Sequence, residues 1–187
     1  MTGHSRTKPN IVITGTPGTG KTSLAQSLVS DRDLSSFTVV NIGDLAKEKV
    51  LYDGYDEEYQ CHILDEDAVV RELKTRLSDS GGDLVSGGVI LEYHSCDFLP
   101  SEWVDVVYVL RTDNSVLYDR LKERGYLDKK LKENLECEIF QTILDEAQES
   151  FDNVIQLKSD SKDDQMNNIQ SVCRFVREWN QRNCHQN

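Results

Sequence analysis

The chain has 187 residues, of which 21 are Lys or Arg and 33 are Asp or Glu, so its formal net charge at pH 7 is −12. This length fits one domain of ordinary size. Because phosphate contacts need clustered cations, so acidic a chain is unsuited to holding duplex nucleic acid across its whole surface. No apolar run approaches the roughly 20 residues that cross a bilayer, and the polar residues 1–8 lack the apolar core of a signal peptide. We therefore expect no membrane association and, with five widely spaced cysteines, reduced thiols inside the cell.

Short apolar runs alternate with helical patterns along the chain. The runs that predict buried strands are residues 10–14, 37–42, 88–93, 104–110 and 153–157. Helical spacing and capping signals predict helices over about 21–30, 65–78, 113–124 and 131–150. A last helix carries one apolar stripe, formed by Met166, Ile169, Val172, Val176 and Trp179. This alternation predicts an α/β, doubly wound fold with a five-stranded parallel sheet and helices on both faces, in which ligands bind beyond the carboxyl ends of the strands.

The most specific local signal is a glycine-rich turn at residues 15–22. It reads G-T-P-G-T-G-K-T and matches the phosphate-loop pattern G-x-x-x-x-G-K-[ST] in full. Glycines let backbone N–H groups turn toward phosphate oxygens, and the following helix presents its positive end to the same anion. Lys21 supplies a cation to the β and γ phosphates, and Thr22 offers a hydroxyl to Mg²⁺. No N-K-x-D tetrad of a guanine-specific GTPase follows the loop, so we predict ATP binding.

A metal-ordering carboxylate is expected at the end of an apolar strand. Glu92 ends the run V-I-L-E at residues 89–92, and we predict that it holds the Mg²⁺ shell through water. The alternative is an ordinary polar residue at a strand end. His94 lies two residues on, on the same face of an extended chain, where it could orient an attacking group or a water. The alternative for His94 is a partly buried structural histidine.

Cations for a phosphoryl group cluster in the second half of the chain. The candidates are Arg111, Arg120, Arg124, Lys129, Lys130 and Lys132. Because several of them follow a helix and the glycine at position 125, they predict a short mobile lid. The alternative is a solvated charged face.

Residues 41–64 are rich in Tyr, Asp and Glu and have no obvious place in the sheet. A segment after the second strand is where a second substrate could sit. We therefore predict a flap, the alternative being an acidic surface loop.

In their order and spacing, these segments resemble the adenylate kinase isoenzyme 6 family, also called coilin-interacting nuclear ATPase proteins. The match spans about residues 9–182, leaving a polar leader at 1–8 and a tail at 183–187. The segments that carry it are residues 9–11, 14–22, 43–46, 52–59, 64–67, 93–97, 109–113 and 124–126. The Y-D-G-Y-D sequence at 52–56 is far more diagnostic than the phosphate loop alone.

The resemblance implies a compact nucleoside-monophosphate-kinase fold with a monophosphate-binding flap over 41–64 and a short lid over 123–133. It implies broad-specificity transfer from ATP to AMP and related monophosphates, giving two ADP, together with ATP hydrolysis and use of Mg²⁺. The implied ATP ligands are Gly18, Gly20, Lys21, Thr22, Ser23, Arg124 on the lid and Lys162 near adenine. The implied catalytic residues are Lys21, Glu92, His94 and Arg124, with Thr22 and Glu92 on the metal.

The resemblance also implies a biological setting. It points to maturation of the small ribosomal subunit, to a small-subunit ribosomal protein as partner, and to the nucleus and cytoplasm; we expect a monomer. The alternative is an ATP-driven assembly switch that binds the ribosomal protein and in which kinase activity is minor. An acidic chain suits either role, because opposite charge speeds encounter with a basic protein.

One position departs from the family pattern. The family normally has Asp-Trp-His or Asp-Tyr-His at the end of the third sheet strand, whereas this chain has Glu92-Tyr93-His94. Because Glu is one methylene longer, the Mg²⁺ shell must shift or Glu92 must bend back. We expect weaker metal-assisted turnover with phosphate binding intact. Residues 79–87 also look longer than usual for the family.

Overall fold

Strands and helices alternate as the apolar pattern predicts in the computed structural model, which describes residues 6–57, 61–77 and 87–183. The strands are β1 Ile11–Thr14, β2 Thr38–Asn41, β3 Tyr52–Asp56, β4 Cys61–Leu64, β5 Val89–Glu92, β6 Val106–Arg111 and β7 Val154–Lys158. The helices are α1 Lys21–Ser30, α2 Ile42–Lys49, α3 Glu66–Leu77, α4 Asn114–Glu123, α5 Asp128–Ile139, α6 Thr142–Ser150 and α7 Lys162–Asn183. A short 3₁₀ turn covers Ser101–Trp103.

Five strands form one sheet in the order β2-β5-β1-β6-β7, and every pairing in it is parallel. This confirms the predicted five-stranded parallel sheet. Strand β1 is central, with Ile11 opposite Ile90 of β5 and Val106 of β6. The chain leaves β1 toward one edge and later returns to build the other, so the carboxyl end of β1 is the point where a doubly wound sheet opens a crevice for ligands.

Two apolar cores lie on opposite faces of this sheet. Helices α2, α3 and α6 cover one face with Leu45, Val69, Leu73, Leu144 and Ala147. Helices α1 and α7 cover the other with Leu24, Ala25, Leu28, Val172 and Val176. Successive β1 residues alternate between the cores, since Ile11 and Ile13 lie on the α1 side and Val12 on the α3 side. Helix α5 contributes no residue to either core.

The prediction of one continuous helix over residues 131–150 is wrong. The structure has two helices, α5 and α6, separated at Phe140 and Gln141. Gln141 has a φ of 59°, in the left-handed region that ends a helix. The break reorients the chain so that Leu144 and Ala147 reach the core while Glu138 faces the sheet edge. No glycine or proline marks it, so the sequence carries no signal for it.

Two other predicted elements need correction. The second strand ends at Asn41 rather than at Ile42, because the Asn41 side chain caps α2 by accepting a hydrogen bond from the Asp44 N–H at 2.9 Å. The stripe on the last helix excludes Met166, whose side chain is 56% exposed in the first turn of α7.

The segment 41–64, which had no obvious place in the predicted sheet, contains one helix and two strands of its own. It contains α2 and an antiparallel pair, β3 with β4, in which Tyr55 lies opposite His62. This pair forms a small sheet separate from the main one. Residues 1–5, 58–60, 78–86 and 184–187 lie outside the described residues, so the greater length of 79–87 stays a prediction.

Two expectations about the molecule as a whole can be compared with the described ranges. Within them, no helix combines the length and the apolar character that a membrane span requires. The described cysteines are all unpaired, as predicted for reduced thiols; they are Cys61, Cys96, Cys137 and Cys173.

Val50 ends α2 in a conformation that favours glycine. Its φ is 56°, its side chain is 75% exposed, and β-branching makes that region costly. We expect Val50→Gly to stabilise the chain by about 1 kcal/mol, measured as the free energy of unfolding in urea. Val50→Ala, which keeps the Cβ atom, should gain less than half as much. Equal stability of wild type and Val50→Gly would contradict this reading.

Candidate active site

The loop between β1 and α1 approaches its neighbours too closely for side chains at two positions. Gly15 has a φ of 136°, and a Cβ atom there would lie 2.6 Å from the Leu110 carbonyl oxygen. Gly18 has a φ of 96°, and a Cβ atom there would lie 2.9 Å from Leu117 Cδ1. Both positions therefore require glycine. The loop is held in one path between β6 and α4.

Lys21 begins α1 and folds back over this loop. Its Nζ donates hydrogen bonds to the Gly15 and Thr16 carbonyl oxygens at 2.7 and 3.2 Å. Burial lowers the pKa of Lys21 to about 8; Glu92 opposes this shift and Arg124 reinforces it. The ammonium is therefore still mostly charged at pH 7. The electrostatic influence of Glu92 and Arg124 places both groups close to it.

Glu92 ends β5 as a carboxylate that is only 4% exposed. Its Oε1 accepts a hydrogen bond from Thr22 Oγ1 at 2.6 Å, and its Oε2 accepts one from Asn41 Nδ2 at 2.9 Å. The extra methylene of Glu is thus used to reach both partners. The hydroxyl and carboxylate oxygens lie side by side, and oxygen ligands are the ones that Mg²⁺ prefers, so this donor set fits that ion.

Asn41 is a site residue that the sequence analysis missed. Its amide oxygen caps α2, and its amide nitrogen donates to Glu92. One side chain therefore connects the first helix of the 41–64 segment to the carboxylate of β5. The signal that could have revealed it is a capping residue directly after a strand.

Two adjoining cavities run along the phosphate loop. The first, of about 310 Å³, opens between α2 and the loop after α4, and Lys21, Thr22, Glu92 and His94 line it. The second, of about 570 Å³, lies between α1, α4 and the start of α7, where Lys162 lines it. The predicted residues Gly18, Gly20, Ser23 and Arg124 line both cavities. The fold brings all nine predicted residues together, while the role of each stays a prediction.

His94 lies at the mouth of the first cavity. Its ring tilts against the Tyr93 ring at a centroid distance of 4.1 Å. Burial of the ring, followed by the positive charges of Lys21 and Lys130, lowers the pKa of His94 to about 4. The imidazole is therefore neutral at pH 7. Because Lys130 belongs to the first turn of α5, that helix faces the same cavity.

Two predicted cations are already engaged by protein groups. Arg111 Nε donates to Glu138 Oε1 at 2.7 Å, and Arg111 lines neither cavity. Arg120 donates to the carbonyl oxygens of Ser159 and Asp160, both at 2.8 Å, at the wall of the second cavity. The interpretation of Arg111 as a phosphate cation is wrong, because its guanidinium is consumed by a buried carboxylate.

Similarity to known proteins agrees with this geometry. A family model described as AAA domain matches residues 11–141. A Dictyostelium discoideum protein named adenylate kinase isoenzyme 6 homolog is 43% identical over 180 residues, which cover 95% of this chain and 97% of that protein. A Drosophila melanogaster protein with the same name is 44% identical, over 92% of this chain and 94% of that protein. The chain belongs to the adenylate kinase isoenzyme 6 family.

Solved structures support the fold of this adenylate kinase isoenzyme 6 family member. A shikimate kinase from Acinetobacter baumannii superposes with a TM-score of 0.59 at 14% identity, covering 92% of this chain and 95% of that one. A shikimate kinase from Bacteroides thetaiotaomicron superposes with a TM-score of 0.53. At such identities the likeness concerns the fold alone. The curated relatives and the family model confirm the predicted family and make the chain a nucleotide kinase of the phosphate-loop class.

The Glu92 geometry leads to a different expectation for turnover from the one drawn from the sequence, and both stay predictions. Glu92→Asp shortens the side chain by one C–C bond, about 1.5 Å, so the carboxylate cannot accept from both Thr22 and Asn41. We expect Mg²⁺-dependent ADP formation to fall several-fold while ATP affinity changes less than twofold. Glu102→Asp, on the opposite edge of the sheet, is the matched control. A Glu92→Asp chain with raised turnover would show that the glutamate is a handicap.

His94 should make folding stability depend on pH. Its pKa is about 4 in the folded chain against an ordinary 6.5, so the unfolded state binds more protons between these values. The contribution is present above pH 6.5 and is lost as the pH falls toward 4. Because His94 is exposed and solvent screens part of the effect, we expect only a small extra drop in Tm between pH 7 and 5 in wild type relative to His94→Asn. His62→Asn should behave as wild type, and equal drops in wild type and His94→Asn would refute the assignment.

Proposed function

We propose that the chain transfers the γ-phosphoryl group of ATP to AMP and related nucleoside monophosphates, and that it also hydrolyses ATP slowly. The observation that carries this proposal is the pair of cavities that share Gly18, Gly20, Ser23 and Arg124 in their walls. Transfer between two nucleotides needs two binding spaces that share one phosphate position. The phosphate loop lies where the two spaces join.

In this proposal the donor occupies the larger cavity. Its phosphates lie on the backbone N–H groups of the loop and against Lys21, while Lys162 and Ser23 border the space for the nucleoside. Arg124, at the C-terminal end of α4, faces both cavities and supplies a second cation. These cations counter the charge that spreads over the equatorial oxygens during transfer.

Thr22 and Glu92 are the residues that would hold Mg²⁺, since their oxygen atoms adjoin within the first cavity. When bound, the ion neutralises charge on the β and γ phosphate oxygens. Asn41 keeps the Glu92 carboxylate oriented and also caps α2. The acceptor would bind between α2 and the segment after α4, where the smaller cavity opens.

In this proposal His94 serves ATP hydrolysis and is not needed for phosphoryl transfer to AMP. The phosphate of AMP is already a nucleophile and needs no base, whereas water must be oriented before it attacks. A neutral imidazole can accept a hydrogen bond from that water at pH 7. The segment after Gly125 carries Tyr126 and Lys130 toward the same cavity, and its closure over the substrates would exclude bulk water and favour transfer over hydrolysis.

We also propose that this activity serves maturation of the small ribosomal subunit, in the nucleus and cytoplasm, with a small-subunit ribosomal protein as partner and the chain itself a monomer. The family resemblance and the net charge of −12 support this setting, since an acidic surface attracts a basic protein. The second candidate function is an ATP-driven switch that binds that partner and in which kinase activity is minor.

The deciding experiment measures ADP formed from ATP and Mg²⁺ with and without AMP. We expect AMP to raise ADP output many-fold, with two ADP formed per ATP consumed. Lys21→Ala should abolish tight ATP binding and turnover, whereas Lys122→Ala, at the surface of α4, should leave both unchanged. AMP-independent hydrolysis that responds only to an added ribosomal protein would favour the switch and contradict the kinase proposal.

A further inference from the structure

Helix α5 is attached to the molecule in an unusual way. Its one buried side chain is a carboxylate, that of Glu138, which is only 2% exposed. Helices at a protein surface ordinarily pack through an apolar stripe. Among the described residues, no side chain of α5 joins either apolar core. The most deeply buried attachment of this helix is therefore polar.

Glu138 is matched by donors from three places. Its carboxylate accepts hydrogen bonds from Thr16 Oγ1 at 2.5 Å, from Arg111 Nε at 2.7 Å and from the Thr112 N–H at 2.9 Å. Its main-chain oxygen accepts another from Arg111 Nη2 at 2.7 Å. A buried carboxylate is costly unless it is paired and hydrogen-bonded, and here both conditions are met.

Thr16, the residue that Glu138 holds, belongs to the phosphate loop and is 1% exposed. Its carbonyl oxygen accepts hydrogen bonds from Lys21 Nζ and from Thr19 Oγ1, at 3.2 and 2.9 Å. Fixing Thr16 therefore also fixes the path of the loop and the resting place of the Lys21 ammonium. Glu138 lines neither cavity, so it acts from behind the loop.

The other end of α5 lies near the first cavity. The Lys130 Nζ lies 5.4 Å from the centre of the Tyr126 ring, and Tyr126 lines that cavity. Gly125, with a φ of 76°, precedes the helix in the left-handed region. The helix thus extends from its first turn near the first cavity to a fixed end behind the phosphate loop.

We propose that Glu138 is a positioning residue that ties the fixed end of α5 to the phosphate loop, so that ATP affinity depends on this carboxylate through Thr16. The proposal rests on the proposed binding of ATP to this loop. It assigns Glu138 no contact with substrate. Removing the link should let the loop relax and should weaken ATP binding before it affects the acceptor, because Glu138 touches nothing in the described part of the 41–64 segment.

The test uses paired variants on both sides of the link. Thr16→Val replaces the hydroxyl with a methyl group of similar size, and we expect the Kd of Mg·ATP, measured by calorimetry, to rise about tenfold. Thr16→Ser restores the hydroxyl and should return Kd to within twofold of wild type. Glu138→Gln keeps an amide that can still bond to Thr16 but loses the charge, so we expect its Kd to rise, by less than that of Thr16→Val. Glu136→Gln, on the same helix with an exposed ion pair to Lys132, is the charge-matched control and should bind as wild type.

A double variant and a kinetic comparison distinguish positioning from general destabilisation. Thr16→Val with Glu138→Gln should bind ATP no worse than the weaker single variant, because both changes act on the same Thr16–Glu138 contact. The KM for ATP should rise in each, while the KM for AMP stays within twofold. Multiplied single effects, or equal rises in both KM values, would overturn the proposal.

The remaining outcomes separate this proposal from the proposed function. If the wild-type chain binds Mg·ATP and Thr16→Val binds it equally well, the role of Glu138 is overturned and the proposed function is unaffected. Wild-type chain that does not bind Mg·ATP overturns the proposed function and this role with it. If Thr16→Val fails to fold, Thr16→Ser and Glu138→Gln decide: equal ATP affinity in those two variants contradicts the proposal.

Discussion

The close approach of the β1–α1 loop to its neighbours is the constraint on which the rest of the site depends. Gly15 lies against the main chain of β6 and Gly18 against side chains of α4, so the loop follows one path. Parallel strands then deliver Glu92 from β5 and Arg111 from β6 to the same edge of the sheet. Glu92 faces the ligand space, whereas Arg111 supports the loop from behind through Glu138. These different positions follow from the different strands on which the two residues lie.

The candidate site is lined by cations, although the chain as a whole carries a net negative charge. The cations Lys21, Arg124 and Lys162 line the cavities along the phosphate loop. Glu92 lines the first cavity and Glu138 lies behind the loop, and both carboxylates are held by hydrogen-bond donors from the protein. A polyanionic ligand entering there relieves the repulsion between the cations, so part of the binding energy is prepared by the fold itself.

Most of the architecture could be predicted from the sequence, because apolar runs such as residues 104–110 report burial on both faces of a parallel sheet. The phosphate loop and the family could be predicted because their residue types are required by chemistry. Glu138 could not, since a glutamate in a charged helix looks like a solvated one until tertiary contacts bury it. The break at Gln141 was hidden for a related reason: tertiary packing imposes a left-handed residue that local propensity disfavours.

The side-chain amide of Asn41 links the end of β5 to the first turn of α2. It is bound at its oxygen by the first turn of α2 and at its nitrogen by the Glu92 carboxylate, so the distance from β5 to that helix is set by two side chains in series. A relative with aspartate at the end of β5 must draw α2 inward by about 1.5 Å, or leave the amide unbound. Among relatives, the residue at the end of β5 and the position of α2 should therefore change together.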